Sequence, residues 1–297
     1  MRMERVKTIQ GKLTWFSASD GMRLQGFLVE PRKKTKRAML FVHGGGQDFL
    51  WESLIGNLSK RIADAGLAFL TINTRGANII RKNYSDASSK NKVSYLAGYA
   101  YERIEESLND LVGAVRALRE LGYTDIVLVG HCLGCQKVLY FMRNSKLSSH
   151  VSKVVLLSPV DLYSFRKTEF GERFDKILKE SKKLVERGMG DTIIKHRSTP
   201  SSAGRFLEQV IGEESRVLSF NTHQMPYLQG ITVPTLVIMG EMEELLPKPI
   251  DFYISKFKKN LGNNLSLVVI GGVGHSLEPK MPEIASKICI FASEPVR

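Results

Sequence analysis

The sequence has little cysteine. Three cysteines in 297 residues, Cys132, Cys135 and Cys289, are too few and too odd in number for a disulfide framework. Cys132 and Cys135 form a CxxC pair, but no second pair or spaced Cys/His set completes four zinc ligands. A redox pair also fits poorly, because it expects a thioredoxin-like βαβ context rather than glycines around its first cysteine. The pattern favours a reducing compartment and no metal site.

Long apolar runs are also missing. No run approaches the roughly 20 residues that a membrane-spanning helix needs. Residues 1–7 are charged and lack the apolar centre of a signal peptide. We therefore predict a globular, cytoplasmic protein that does not insert into membranes. Its 43% hydrophobic residues can supply a proper core for one large domain or two small ones.

Acidic residues are in deficit, 30 against 43 basic ones, so the net charge is +13. A basic balance is compatible with nucleic acid or an anionic membrane surface as a partner. Much of the excess lies in the first 40 residues, where the basic run at 32–37 is typical of a solvated linker between two strands. No nucleic-acid motif accompanies it, so we expect no nucleic-acid partner. An anionic substrate stays open.

One segment carries more information than any other. Four apolar residues at 126–129 lead directly into GHCLG at 130–134, and apolar positions with helical spacing follow. The pattern predicts a strand, a sharp turn and a helix. Gly130 and Gly134 leave room for the tight turn, which would hold Cys132 at a positive φ and at a helix N-terminus. A thiolate is stabilised at such a position.

GHCLG resembles the nucleophile elbow of the α/β-hydrolase superfamily, which includes esterases and lipases. Serine is the usual central residue there, while a minority such as the dienelactone hydrolases use cysteine. The resemblance implies an α/β fold with a mostly parallel eight-stranded sheet flanked by helices. It also implies that Cys132 is the nucleophile, that the N–H of Leu133 helps to stabilise an oxyanion, and that an acid and then a histidine follow along the chain.

A second glycine-rich segment, HGGG at 43–46, follows a continuous apolar run at 38–42 that predicts a buried strand. Consecutive glycines let backbone N–H groups approach a ligand closely, as in phosphate loops and oxyanion holes. The lysine of a phosphate loop is missing. The segment resembles the oxyanion motif of lipases and esterases, which implies that Gly45 or Gly46 donates an N–H and that His43 braces the loop.

The acid has several candidates. The superfamily pattern has a glycine after a strand, the acid three residues later and a proline four residues after the acid. In GEMEELLP at 240–247 this count falls on Glu243, although aspartate is more usual. Glu241 and Glu244 are neighbouring alternatives. Asp161 is the stronger alternative, because some hydrolases place the acid after the preceding strand.

Of six histidines, only His275 directly follows a Gly-x-Gly turn at the end of the last predicted strand, which resembles the catalytic histidine of the superfamily. The resemblance implies a hydrolase that cleaves a carboxylic ester or thioester through an acyl-enzyme on Cys132, with His275 as base and Glu243 as orienting acid. It implies no metal or organic cofactor. An acyltransferase and a non-catalytic binding protein stay open, because Cys132, Glu243 and Asn73, which stands where the family has aspartate, depart from the usual pattern.

The regular recurrence of apolar strand patterns is interrupted between about residues 162 and 225. These residues are highly charged and contain helical patterns such as 174–188. We predict a helical cap at 162–225, inserted into an α/β-hydrolase core formed by 1–161 and 226–297. Caps of this kind shape the substrate pocket and exclude water. The polar residues 77–100 are predicted to form a long loop near the site.

Overall fold

The computed structural model describes residues 8–50, 52–85, 93–194, 199–222, 225–278 and 280–295. Eight strands form the central sheet: β1 Lys12–Ser17, β2 Arg23–Val29, β3 Arg37–Val42, β4 Ala68–Ile72, β5 Asp125–His131, β6 Val151–Leu157, β7 Thr235–Gly240 and β8 Leu265–Ile270. They lie in the order β1-β2-β4-β3-β5-β6-β7-β8. β2 is antiparallel to β1 and β4, and the other neighbours are parallel. The predicted mostly parallel eight-stranded sheet is confirmed.

Helices cover both faces of this sheet. Their bounds are α1 Glu52–Asp64, α2 Ile104–Glu120, α3 Leu133–Asn144, α4 Leu162–Phe170, α5 Phe174–Glu186, α6 Ala203–Val210, α7 Glu213–Val217, α8 Pro226–Gln229, α9 Ile250–Leu261 and α10 Met281–Ser293. One apolar cluster joins the sheet to α2, α3 and α9, and a second joins it to α1 and α10. Central strands such as β3 and β4 are therefore mostly apolar, with Arg37 and Thr71 as their polar residues. Within the described ranges, no helix is both long and apolar enough to cross a bilayer.

The segment between β6 and β7 has a small apolar core of its own. Phe170, Phe174, Ile177, Phe206 and Val210 pack together from α4, α5 and α6. Further along the segment, Val217, Phe220 and Met225 instead belong to the main cluster beside the sheet. The division into a cap and a core stays a prediction.

The loop predicted at 77–100 is partly wrong. Residues Arg81–Tyr84 and Ser94–Ala97 form a two-stranded antiparallel ribbon, and residues 86–92 lie outside the described part of the chain. Each strand has four residues and no regular apolar alternation, so the period on which strand prediction depends is absent.

Candidate active site

Cys132 lies at the sharp turn between β5 and α3, and its φ is +54°. The two flanking glycines are required by close backbone packing. A β carbon at Gly130 would lie 2.4 Å from the carbonyl oxygen of Gly134, and one at Gly134 would lie 2.2 Å from that of Val42. Side chains cannot be placed so close to backbone atoms. The predicted elbow geometry is therefore present, with the sulfur at the start of a helix.

The loops after β7 and β8 bring Glu243 and His275 to this turn. The Nδ1–H of His275 donates to Glu243 Oε1 over 2.5 Å. The ring and the Cys132 sulfur lie close enough for each group to shift the pKa of the other. His275 Nε2 has no aligned partner among the described side chains, so it can exchange a proton with the thiol. The structure thus brings together three residues that are distant in the sequence.

The charges of this pair reinforce each other. Burial raises the pKa of the Cys132 thiol, but His275 together with the N–H groups of Leu133 and Gly45 outweighs burial, and the pKa is lowered below its ordinary value. Burial lowers the pKa of His275, yet the Cys132 charge and the Glu243 carboxylate raise it to about 10. Both shifts favour a thiolate beside an imidazolium. A thiolate is the nucleophilic form of cysteine.

Two backbone N–H groups, those of Leu133 and Gly45, hydrogen-bond to the Cys132 sulfur. Leu133 begins α3, and Gly45 lies in the loop after β3. A β carbon at Gly45 would lie 2.5 Å from Leu133 Cδ1, so a side chain at this position would displace Leu133. Gly46 has a φ of +70°, a backbone conformation that favours glycine, so the turn of the loop explains glycine at this position. The sequence predicts that Gly45 or Gly46 donates an N–H to the oxyanion. In the structure the N–H of Gly45 is the one that contacts the sulfur.

His43 is fully buried at the end of β3. Its Nε2 accepts the backbone N–H of Thr74 over 3.0 Å, so the proton is on Nδ1, which donates to the Gly44 carbonyl oxygen over 2.6 Å. Burial and the nearby Lys137 charge lower the pKa of His43 to about 3. A neutral ring therefore ties the glycine loop to the loop after β4.

Asp161, the alternative acid, is engaged away from His275. One carboxylate oxygen accepts the N–H of Ser164 over 3.2 Å and caps α4. The other accepts the Tyr253 hydroxyl over 3.3 Å. This geometry favours Glu243 over Asp161 as the partner of the histidine.

The two other glutamates near Glu243 hold the histidine loop by its backbone. Glu241 accepts the N–H of Gly272 over 3.0 Å, and Glu244 accepts the N–H of His275 over 2.8 Å. A β carbon at Gly274 would lie 2.5 Å from the Glu244 carboxylate, so a side chain there would displace this carboxylate. The sequence named these glutamates only as alternative acids and gave no signal for this second role.

His131 is a further residue whose place the sequence did not predict. Its ring lies 5.3 Å from the His275 ring, centre to centre, and its Nε2 lies 3.4 Å from the His275 carbonyl oxygen. Its Nδ1 lies 3.3 Å from Gln47 Oε1, which also accepts the N–H of Gly44 over 3.0 Å. Burial lowers the pKa of His131 well below its ordinary value, so the ring is neutral. It lies between the glycine loop after β3 and the loop that carries His275.

The second cysteine of the CxxC pair is a buried structural residue. The Cys135 thiol donates to the carbonyl oxygens of Gly130 and Leu157 over 3.2 and 3.3 Å. Burial raises its pKa well above the ordinary value. All three cysteines are free thiols. The pair therefore lacks the second reactive thiol that a redox motif needs.

Asn73 replaces the family's aspartate without releasing the loop after β4. Its Oδ1 accepts the N–H of Phe49 over 3.0 Å. Two residues on, the backbone N–H of Arg75 donates to Oδ2 of the buried Asp110, and its guanidinium donates to Asp110 Oδ1 and to Asp20. An amide hydrogen bond and a buried ion pair thus hold this loop.

A cavity of about 280 Å³ lies beside the start of α2 and the ribbon, with Arg75, Tyr95 and Glu102 in its lining. Neither Cys132 nor His275 lines this cavity. The candidate site is instead at the Cys132 sulfur, where Tyr99, Leu133, Val160 and Leu162 form an apolar cluster with Cys132 and Leu245 packed against it.

A family model described as alpha/beta hydrolase fold matches residues 37–277. No curated protein matches the sequence. Among solved structures, Est1E from Butyrivibrio proteoclasticus with bound ferulic acid is similar, with a TM-score of 0.66 at 15% identity. The alignment covers 93% of this chain and 96% of that one.

Two further structures have the same architecture. A soluble variant of a monoglyceride lipase from Saccharomyces cerevisiae has a TM-score of 0.67 at 13% identity, covering 98% of this chain and 99% of that one. A carboxyl esterase from Bacillus coagulans has a TM-score of 0.67 at 12% identity, covering 96% and 98%. At such identities the likeness concerns the fold. Because the family model spans most of the chain, from β3 to the histidine loop, this protein belongs to the alpha/beta hydrolase fold family.

Proposed function

We propose that the protein hydrolyses carboxylic esters or thioesters through a covalent acyl-enzyme on Cys132. The observation that supports this most is the convergence of a thiolate, an imidazolium and a carboxylate beneath two backbone N–H donors. Similar structures that include a carboxyl esterase and a monoglyceride lipase favour an ester as the bond that is cleaved. Non-catalytic binding would not require this charged pair.

In the acylation step, the Cys132 thiolate attacks the carbonyl carbon of the substrate, and the carbonyl electron pair moves to oxygen. The N–H groups of Gly45 and Leu133, which contact the sulfur at rest, then stabilise the oxyanion, each worth roughly 3 kcal/mol. His275 gives its Nε2 proton to the leaving alkoxide or thiolate. Glu243 holds the ring in the required orientation and stabilises its charged form.

In the second step, water releases the acyl group. His275, now neutral, takes a proton from water as the oxygen attacks the thioester carbonyl. The tetrahedral intermediate collapses to a carboxylic acid and the Cys132 thiolate. The proton stays on His275, and the initial ion pair is restored.

The apolar cluster at the sulfur suits an uncharged, apolar acyl group. Leu162, in this cluster, is also the first residue of the segment predicted as a cap. We therefore propose that residues 162–225 cover the site at the Cys132 sulfur and exclude water from it. We further propose a small-molecule substrate and a cytoplasmic location.

The test is a stopped-flow experiment with p-nitrophenyl acetate and butyrate. We expect a burst close to one equivalent of p-nitrophenol followed by steady turnover, and neither with Cys132→Ala. A burst without turnover that is accelerated by added alcohols or amines would favour acyl transfer. No burst and no alkylation of Cys132 by iodoacetamide at neutral pH would favour a binding protein.

A further inference from the structure

Tyr99 packs against both residues that donate N–H groups to the sulfur. Its side chain is buried and shares an apolar cluster with Leu133. A β carbon at Gly45 would lie 2.7 Å from Cδ2 and Cε2 of the Tyr99 ring, so this edge of the ring packs against the glycine loop. Contact with this ring therefore restricts the position of Gly45.

The main chain of Tyr99 is tied to the same loop. Its N–H donates to the Asn78 carbonyl oxygen over 2.8 Å, and the Asn78 N–H donates to the Gln47 carbonyl oxygen over 3.1 Å. Gln47 directly follows the glycine loop. Tyr99 therefore supports that loop through its ring and through two backbone hydrogen bonds.

The hydroxyl of Tyr99 is held from the opposite side, by α4 and α6. Arg166 Nη2 donates to this oxygen, and Gln209 Nε2 donates to it over 3.1 Å. Arg166 Nε also donates to Gln209 Oε1 over 2.9 Å, which fixes the two donors to each other. Arg166 is 1% exposed and Gln209 is fully buried. Buried polar groups that lose such partners cost roughly 1–3 kcal/mol, so this arrangement is strongly specified.

A third residue of the segment between β6 and β7, Arg205 in α6, contacts the carbonyl oxygen and the ring of Tyr99. Its Nε donates to the Tyr99 carbonyl oxygen over 3.2 Å, and its guanidinium lies 5.3 Å from the ring centre. The charge is balanced by Glu214, which accepts hydrogen bonds from both terminal nitrogens. Three side chains from one segment thus converge on a single tyrosine.

We propose that Tyr99 is a positioning residue through which α4 and α6 hold the oxyanion donors in place. This rests on the proposed function. The thiolate and imidazolium have their own support in Glu243, so loosening Tyr99 weakens oxyanion stabilisation and leaves the reactive thiolate intact. Removal of a whole oxyanion donor costs about a hundredfold to a thousandfold in kcat, so partial displacement costs less.

The variants are Tyr99→Phe, which removes only the hydroxyl, and Gln209→Met, which removes one of its donors. Tyr227→Phe is the matched control, because Tyr227 is also largely buried and its hydroxyl donates to Glu213, but it belongs to the main core cluster. Three quantities are measured below the melting temperature of every variant. They are the ester kinetics, the inhibition constant of an alkyl trifluoromethyl ketone, and the rate of alkylation of Cys132 by iodoacetamide.

For Tyr99→Phe we expect kcat to fall about tenfold with little change in KM, because the lost interaction matters only in the transition state. The ketone, which forms an oxyanion adduct with the thiolate, is expected to bind weaker by a similar factor. Gln209→Met is expected to lower kcat and to weaken ketone binding, each by about threefold, because Tyr99 then loses only one of its two hydroxyl donors. Alkylation needs no oxyanion hole and stays close to the wild-type rate. Tyr227→Phe leaves all three quantities unchanged.

Unchanged kcat and ketone affinity in Tyr99→Phe would overturn the proposal, as would a parallel fall in the alkylation rate. Wild-type protein that binds the ketone without turning over esters would overturn the proposed function alone if Tyr99→Phe still weakened ketone binding. Wild-type protein that does not bind the ketone would overturn both.

Discussion

His43 and His275 both follow a parallel strand and both lie in glycine-rich loops at the same edge of the sheet. Their rings meet different partners. His43 has a backbone N–H on one nitrogen and a carbonyl oxygen on the other, whereas His275 has a carboxylate on one side and a cysteine sulfur on the other. The pKa of His43 is lowered to about 3 and that of His275 is raised to about 10.

This contrast shows that charged partners, rather than burial alone, separate a structural histidine from a candidate catalytic one. Burial lowers the pKa of both rings. At His43 the largest effect of a charge is that of the Lys137 cation, which lowers the pKa in the same direction as burial. At His275 two anionic groups outweigh burial. The same residue type in similar loops is therefore neutral in one place and protonated in the other.

The largest expected effect separates these two histidines. His275→Gln should lower kcat at least about a thousandfold with little change in stability, because the proton donor and acceptor is lost. His43→Leu should instead lower the free energy of unfolding by about 1–3 kcal/mol, because Thr74 N–H and Gly44 O lose their partner. Burst kinetics and urea denaturation measure the two quantities. A loss of kcat without a loss of stability in His43→Leu would remove the distinction.

A somewhat smaller effect separates the two candidate acids. Glu243→Gln should lower kcat about a hundredfold to ten-thousandfold, because a neutral amide no longer stabilises the imidazolium. Asp161→Asn should change kcat less than about threefold, since asparagine can also cap α4. Both are measured with the same p-nitrophenyl ester. The reverse order of effects would assign the acid to Asp161.

The pH dependence of activity tests the charge of the pair. Because the pKa of Cys132 is lowered and that of His275 is raised to about 10, thiolate and imidazolium coexist between the two values. We expect kcat/KM to rise with pH through the lowered thiol pKa, to stay level, and to fall near pH 10. In His275→Gln the alkylation rate at pH 7 should fall, since burial then raises the thiol pKa against only the N–H groups of Leu133 and Gly45. An unchanged alkylation profile in this variant would exclude the ion pair.

A smaller effect concerns the stability contribution of His43. Its pKa is about 3 when folded and about 6.5 when unfolded, so only the unfolded chain takes up a proton between these values. The stability that the neutral His43 ring contributes is complete above pH 6.5 and is lost progressively as the pH falls towards 3. The stability difference between wild type and His43→Leu should therefore shrink on acidification, as measured by urea denaturation at pH 7, 6 and 5. A constant difference would contradict a neutral buried ring.

The parts of the molecule that depend on short-range pattern could be predicted from the sequence. The buried strands are continuous apolar runs, and GHCLG predicted the positive φ of Cys132. The count along GEMEELLP named Glu243, which lies in hydrogen-bond contact with His275, while its catalytic role stays a prediction. These features depend on residue spacing within one segment.

Features built between segments could not be predicted in this way. Tyr99, Arg166 and Arg205 are distant in the sequence, and nothing in their local patterns indicates that they meet. The structural role of Glu244 could not be predicted either, since no sequence pattern shows that a carboxylate will accept a backbone N–H across two loops. The choice between Gly45 and Gly46 as donor also depends on the path of the loop in space.

The most direct measurement of the central claim is mass spectrometry of the protein quenched during turnover of p-nitrophenyl butyrate. We expect one butyryl group per chain, mapped to the peptide that carries Cys132, and no adduct in Cys132→Ala. In His275→Gln the same adduct should form and decay more slowly. Turnover without an adduct on Cys132, or an adduct on another residue that persists in Cys132→Ala, would contradict the account.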